Sequence, residues 1–181
     1  MTITYTIDEN DFLTHQLFLA SKSDRIRKKR LRSKVIVPLI YVALGLIFLI
    51  EDNYSMTIVF FVTGLLWFIA YPLWERRRYI NHYKGFIKEN YKERLGRTAT
   101  LEFSNEVIIA KDNGSESKVL TTELEKIIEI SSTIFVKLKG GQSFILPKDK
   151  IDNIGTLTGR LKELASYLNI EYCIDDKWEW K

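Results

Sequence analysis

The side chains in this chain that could do chemistry are few, and their spacing matches no recognised catalytic pattern. His15 and His82 are the two histidines and Cys173 is the single cysteine, and nothing around them has metal-ligand spacing. Glu123, Glu125 and Glu129 fall in a segment of strand periodicity, so they read as a solvated face and not as an acid and base sharing a pocket. Gly140 and Gly141 sit between Lys139 and Gln142, which suits a tight turn better than a phosphate cradle. No Walker loop, dinucleotide fingerprint or nucleophile elbow occurs. Lys148, directly after Pro147 and before an amphipathic run, is the one candidate anion contact, because a helix N-terminus favours negative charge. Its plainer reading is an ordinary surface lysine. No catalytic, cofactor-binding or metal-binding residue is assigned, no cofactor is expected, and the chain is not expected to be an enzyme.

The elements that must carry these residues are dominated by two uncharged apolar runs, 35–50 and 56–73, joined by Glu51-Asp52-Asn53-Tyr54-Ser55. No Lys or Arg lies between Lys34 and Arg76 in a chain that is 28% charged. As helices the runs would be about 24 and 27 Å long, slightly short for a hydrocarbon core of about 30 Å. Lys34 can complete the first by snorkelling, and Tyr71 and Trp74 can anchor the second at the interface. A pair of buried helices in a soluble core is the alternative, but such helices normally keep a polar stripe. Gly45 and Gly64 lie at comparable distances from the loop and are candidate helix–helix packing positions. Pro38 is a candidate kink.

Charge sets the expected orientation. Lys28, Lys29, Arg30, Arg32 and Lys34 precede the first run, Arg76, Arg77 and Arg78 follow the second, and the loop carries no cation. The positive-inside rule then predicts a hairpin with both termini in the cytoplasm. Residues 1–97 carry 16 basic and 9 acidic side chains, a net of +7, against 11 and 14, a net of −3, for residues 98–181. The positive charge therefore sits beside the apolar runs. These eight cations are candidate contacts for anionic lipid head groups, and nucleic acid is not expected as a partner. One cysteine excludes an intramolecular disulfide, and no cleavage-site pattern suggests a removable signal peptide.

The remaining sequence reads as a cytoplasmic α+β part. Thr2–Ile7 alternates as a half-buried strand, a helix starts near Asp8 or Asn10, and residues 1–34 form the N-terminal strand and basic juxtamembrane helix. Residues 35–74 are the transmembrane hairpin and 75–96 a second juxtamembrane helix, with Tyr79, Tyr83 and Phe86 among lysines. From Arg97 the period is two. Six short antiparallel strands are predicted between Thr98 and Leu146, with Asp112-Asn113-Gly114 as hairpin-turn chemistry. Ile151, Ile154, Leu157, Leu161, Leu164 and Leu168 then repeat at helical spacing. Residues 97–168 are thus expected to be a PH-like antiparallel β-barrel capped by a C-terminal helix, followed by a tail, 169–181, in which Trp178 or Trp180 packs back.

In this order of elements the chain resembles the bacterial YcxB-like family of membrane proteins. The resemblance is carried by Lys126-Ile127-Ile128-Glu129, Ile134-Phe135-Val136 and Ile145-Leu146-Pro147-Lys148, together with the opening strand and the basic-flanked hairpin. Where the family often has an aromatic residue before the central Lys-Ile element, this chain has Leu124. The resemblance implies an α+β membrane protein, multi-pass in the bacterial cytoplasmic (inner) membrane, and names no reaction. The expected role is a non-catalytic membrane-anchored module that binds a protein partner or lipid head groups, with a homo-oligomer as a candidate assembly. The alternative is a small oligomeric transport or channel component. That alternative is weaker because the hairpin interior has no ionisable side chain of the kind that lines a conduit.

Overall fold

A computed structural model of the chain describes residues 1–112 and 114–180. Along the sequence the elements are β1 (Thr2–Thr6), α1 (Glu9–Lys22), α2 (Asp24–Ile50), α3 (Tyr54–Asn90), β2 (Thr98–Phe103), β3 (Val107–Asp112), β4 (Ser115–Leu120), β5 (Leu124–Ile130), β6 (Thr133–Leu138), β7 (Ser143–Pro147), α4 (Ile154–Leu168) and β8 (Glu171–Asp175). They divide into two compact units: residues 1–15 with 85–179, and residues 16–84 with Trp180.

The first unit is built on two four-stranded sheets, ordered β1-β2-β3-β4 and β7-β6-β5-β8. The N-terminal strand joins the first sheet: β1 runs antiparallel to β2 with Ile3 opposite Leu101 and Tyr5 opposite Ala99. Strand alternation turns Ile3, Tyr5, Leu101, Phe103 and Ile108 inward. They meet Ile127, Ile134, Val136 and Leu146 of the second sheet, and the Leu157, Leu161, Leu164 and Ala165 stripe of α4 seals the same core. Asn169 ends α4 in the left-handed conformation at φ 53°.

The second sheet is buried on both faces. Ile128, Ile130, Phe135 and Ile145 point away from that shared core, yet each is at most 9% exposed. His15 of α1 lies against Phe135, with ring centroids 5.2 Å apart.

The expected closed barrel does not form. Both edges of β5 are taken, by β6 antiparallel and by β8 parallel. Between β4 and β5 the chain makes a 3-10 turn, Thr121–Glu123. Buried Thr121 pins that turn, donating from its backbone N–H to the Glu106 carbonyl at 2.9 Å and from Oγ1 to the Asn105 carbonyl at 2.7 Å. Strand β8 falls in the segment expected to be a tail, and α4 is the crossover that a parallel β5–β8 pair requires. Pro147 ends β7 and not the start of a helix; a 3-10 turn over Lys148–Lys150 intervenes before α4. The β3–β4 turn chemistry rests partly on Asn113, which lies outside the described residues; Gly114 beside it has φ 100°.

In the second unit the apolar runs are central parts of longer helices. α2 has 27 residues and α3 has 37, about 40 and 55 Å. The basic flanks continue both helices because Lys, Arg and Glu are good helix formers. A continuous α1–α2 helix does not occur: Ser23 breaks it and caps α2, its Oγ accepting from the Ile26 N–H. The hairpin turn is tight. Asp52 takes the left-handed conformation at φ 57°, and Asn53 Oδ1 accepts from the Met56 N–H at 3.2 Å to start α3.

Both long helices are apolar enough to cross a membrane by length and composition. Only 6% and 17% of their most apolar windows are buried, so most of that apolar surface is uncovered. Leu39, Ile40, Leu65, Leu66 and Ile69 are among the apolar side chains they present outward.

Candidate functional site

The basic ends of the hairpin separate into two kinds of cation. Lys28, Lys29, Arg32, Arg76, Arg77 and Arg78 are exposed along α2 and α3. Arg78 also lies over the Trp74 ring at 5.3 Å, and Lys34 over Phe68 at 4.9 Å. Arg30 differs. Its Nε donates to Glu75 Oε2 at 2.9 Å, its guanidinium lies 4.6 Å from the Trp180 ring, and Tyr79 stands edge-on to that ring at 5.5 Å. Glu75 is buried and its other oxygen accepts from the Tyr71 hydroxyl at 3.0 Å. The result is a knot of opposite charge and aromatic rings at one end of the hairpin.

Each of the two hairpin glycines faces atoms of the other helix. A Cβ on Gly45 would lie 2.7 Å from the Phe61 ring, and one on Gly64 would lie 3.2 Å from Tyr41 Cβ and 3.6 Å from the Pro38 carbonyl. Phe48 and Phe60 stack nearby with centroids 5.3 Å apart.

The first unit has a polar cleft of about 310 Å³ where the start of α1 meets the β5–β6 turn and the β7–α4 connection. Its acidic wall is a capping box. Asp8 Oδ1 accepts from the Asn10 and Asp11 N–H groups at 2.8 and 3.0 Å, while Asp11 Oδ2 accepts from the Asp8 N–H at 2.8 Å. Lys150 bridges the two carboxylates, 2.7 Å from Asp8 Oδ2 and 2.5 Å from Asp11 Oδ2. Burial pushes Asp11 above the usual carboxylate range. At Asp8 burial acts the same way, but the bonds from Lys150 and the backbone outweigh it and hold the acid low. Lys150 is held high, its two carboxylate partners overcoming burial.

Lys148, the expected anion contact, lines this cleft and is ion-paired with Glu129 at 2.7 Å. Glu129 also accepts from the Tyr172 hydroxyl at 2.6 Å, so it joins β5, β8 and the end of β7. Burial raises Glu129, yet Lys148 and Tyr172 together keep it below the usual range. The same burial and the Glu129 bond push the Tyr172 phenol well up. Each lysine is matched by a carboxylate, and the arrangement works as a clasp between the start of α1 and the strand ends.

Of the other singled-out residues, Glu123 and Glu125 are exposed, and Glu125 pairs with Lys137 at 2.8 Å. Cys173 lies in β8, opposite Ile128. His15 is buried, its Nε2 has no hydrogen-bond partner among the described residues, and burial pulls its pKa down to about 4. His82 is exposed beside Tyr83. No three His, Cys, Asp or Glu side chains group as metal ligands among the described residues.

Sequence reasoning missed Glu75, the Asp8/Asp11/Lys150 clasp and the docking partner of Trp180. The Asp8-x-x-Asp11 spacing was a legible cap signal, and Glu75 was the one acid beside three arginines. Nothing in the spacing of Lys150 or Trp180 announced their partners. No protein-family model, curated protein or solved structure matches this chain.

Proposed function

We propose that the protein is a non-catalytic, membrane-anchored module. In this reading α2 and α3 cross a bacterial cytoplasmic membrane as a hairpin with both termini inside, and the two-sheet unit is held at the cytoplasmic face to bind a partner. The observation that supports it most is the outward apolar surface of two helices whose ends carry exposed lysines and arginines. In water that surface would cost about 25 cal/mol for each Å² left exposed, and lipid removes the cost. The exposed cations would add attraction to anionic head groups, about 1 kcal/mol each near the surface.

A strand-rich unit whose core is sealed by α4 supports a PH-like module of the YcxB-like kind, with the hairpin inserted after β1. Function would still reside in its surface and not in its fold class.

The test is alkaline extraction of native membranes, followed by labelling of a Ser55→Cys, Cys173→Ser variant with a membrane-impermeant maleimide on intact cells. The protein stays with the membrane, and the thiol introduced in the hairpin turn labels from outside. Release into the wash, or labelling only after the cells are broken, sinks the reading.

A further inference from the structure

We propose that the outer edge of β4 pairs antiparallel with β4 of a second copy of this chain, about a twofold axis at Ser117. Strand β4 ends the order β1-β2-β3-β4, and among the described residues no strand pairs with its outer edge. Ser115, Glu116, Ser117 and Lys118 are all exposed, and so is Leu120. The inference concerns the first unit alone and does not depend on membrane insertion.

The pairing with β3 fixes which backbone groups of β4 point outward. Ser117 stands opposite Ala110, Val119 opposite Ile108 and Leu120 opposite Val107. Continuing that register, the Thr121 N–H donates to the Glu106 carbonyl at 2.9 Å. Hydrogen bonding alternates along an antiparallel strand, so Ser115, Ser117 and Val119 turn their N–H and C=O groups toward β3. Glu116 and Lys118 turn theirs to the outer edge, where a further strand would meet them.

Charge selects the register. Pairing centred on Ser117 places Glu116 opposite Lys118 of the second copy, and Lys118 opposite that copy's Glu116. Each such pair exchanges both backbone N–H···O bonds and sets opposite charges side by side. Centring on Glu116 or on Lys118 would instead oppose like charges. A lysine at a sheet edge ordinarily discourages pairing; two residues from a glutamate, it rejects those shifted registers and favours the one between them. Within one copy the two charges stand 3.7 Å apart, 47% and 67% exposed, and the neighbouring Lys111 is engaged by Glu102 at 2.8 Å. An ion pair so exposed contributes little, whereas the second copy gives each charge a further partner directly across. Leu120, 58% exposed, then lies opposite Gly114 of the second copy, where no side chain obstructs it.

The full chain purified in mild detergent, with Ser117→Cys in a Cys173→Ser background, tests this. In the proposed register the two Ser117 positions face each other as a non-hydrogen-bonded pair, with Cα atoms about 4.5 Å apart and within disulfide reach. Mild oxidation therefore yields a disulfide-linked dimer. Tyr167→Cys in the same background, at an exposed position of α4, reports random collision. Adding Glu116→Lys to Ser117→Cys lowers the dimer yield by about tenfold, because both symmetry-related pairs become like-charged. Adding Lys118→Glu to that variant restores the yield, since the opposite charges are then exchanged and not lost. Equal cross-linking from Ser117→Cys and Tyr167→Cys overturns the proposal. So does a yield that Glu116→Lys leaves unchanged, or one that Lys118→Glu fails to restore. None of these outcomes bears on whether the hairpin crosses a membrane.

Discussion

Arg30 Nε lies 2.9 Å from Glu75 Oε2, an ion pair between helices whose residues are 45 positions apart. Glu75 is the buried partner, its side chain only 8% exposed, and Tyr71 completes its hydrogen bonding. Charges so placed hold one geometry, because separating them strands a carboxylate away from water.

Glu75→Ala therefore destabilises the hairpin by about 3 kcal/mol, since Arg30 keeps its charge and loses the buried Glu75 carboxylate. Arg30→Met with Glu75→Leu recovers most of that loss, because neither charge remains to be desolvated. Thermal unfolding of both variants in detergent checks it. A double variant as unstable as Glu75→Ala alone would show that the pair matters for something other than charge matching.

His15 makes stability depend on pH. Its folded pKa of about 4 lies below the ordinary 6.5, so the unfolded chain binds the proton first as pH falls. The contribution is intact above about 6.5 and is lost as pH drops toward about 4, by about 3 kcal/mol in all. His15→Phe keeps the ring against Phe135 and removes the titration. Urea unfolding between those pH values shows a slope in the parent that is absent in the variant. Equal slopes in the two proteins would place the titration elsewhere.

Gly45 and Gly64 separate close packing from mere helix composition. A Cβ at Gly64 meets Tyr41 Cβ, an atom fixed to its backbone, whereas one at Gly45 meets the Phe61 ring, which can rotate away. Gly64→Leu thus forces the helices apart and costs about 2 kcal/mol, while Gly45→Ala costs less than about 1 kcal/mol. Thermal melts rank the two. The reverse ranking would mean that the Phe61 ring is held more rigidly than the helix backbones.

What the sequence made legible follows from periodicity. The period-two strands Thr98–Phe103, Leu124–Ile130 and Thr133–Leu138 and the amphipathic run of α4 carry their own pattern and stand close to where they were expected. The cation-free stretch announced two apolar helices for the same reason. The failures are long-range. β8 is only five residues, Glu-Tyr-Cys-Ile-Asp, and its burial alternates weakly because it pairs at a sheet edge. Its partner β5 lies some forty residues earlier, a choice that spacing does not encode. The barrel expectation failed with it, since β8 occupies the edge that closure would need. Phe135 alternates with the core residues Ile134 and Val136, yet it too is buried, against His15 of α1, which the strand's own pattern cannot reveal. Lys150 finds Asp8 and Asp11 about 140 residues away, equally out of reach of any local signal.

The pairing of β1 with β2 makes the hairpin an insertion within the first unit, and this has a sharp consequence for any soluble fragment. Ile3 and Tyr5 are 6% and 5% exposed and belong to the same core as Leu101, Phe103 and Ile108. A fragment of residues 97–181 lacks both. It loses about 2 kcal/mol of burial for each, plus the cavity they leave and a five-residue ladder along β2. Against a total stability of about 5–15 kcal/mol for an ordinary domain, that loss is enough to leave the fragment largely unfolded. It also lacks α1, so the face carrying Phe135 is exposed and the fragment aggregates. Restoring residues 1–15 through a short Gly/Ser linker to residue 85, with the hairpin omitted, returns Ile3, Tyr5 and His15 together. Amide proton–nitrogen spectra distinguish the two: collapsed signals for 97–181 and dispersed signals for the linked form. A cooperative melt and dispersed spectrum from 97–181 alone would show that β1 docks on a core already complete without it.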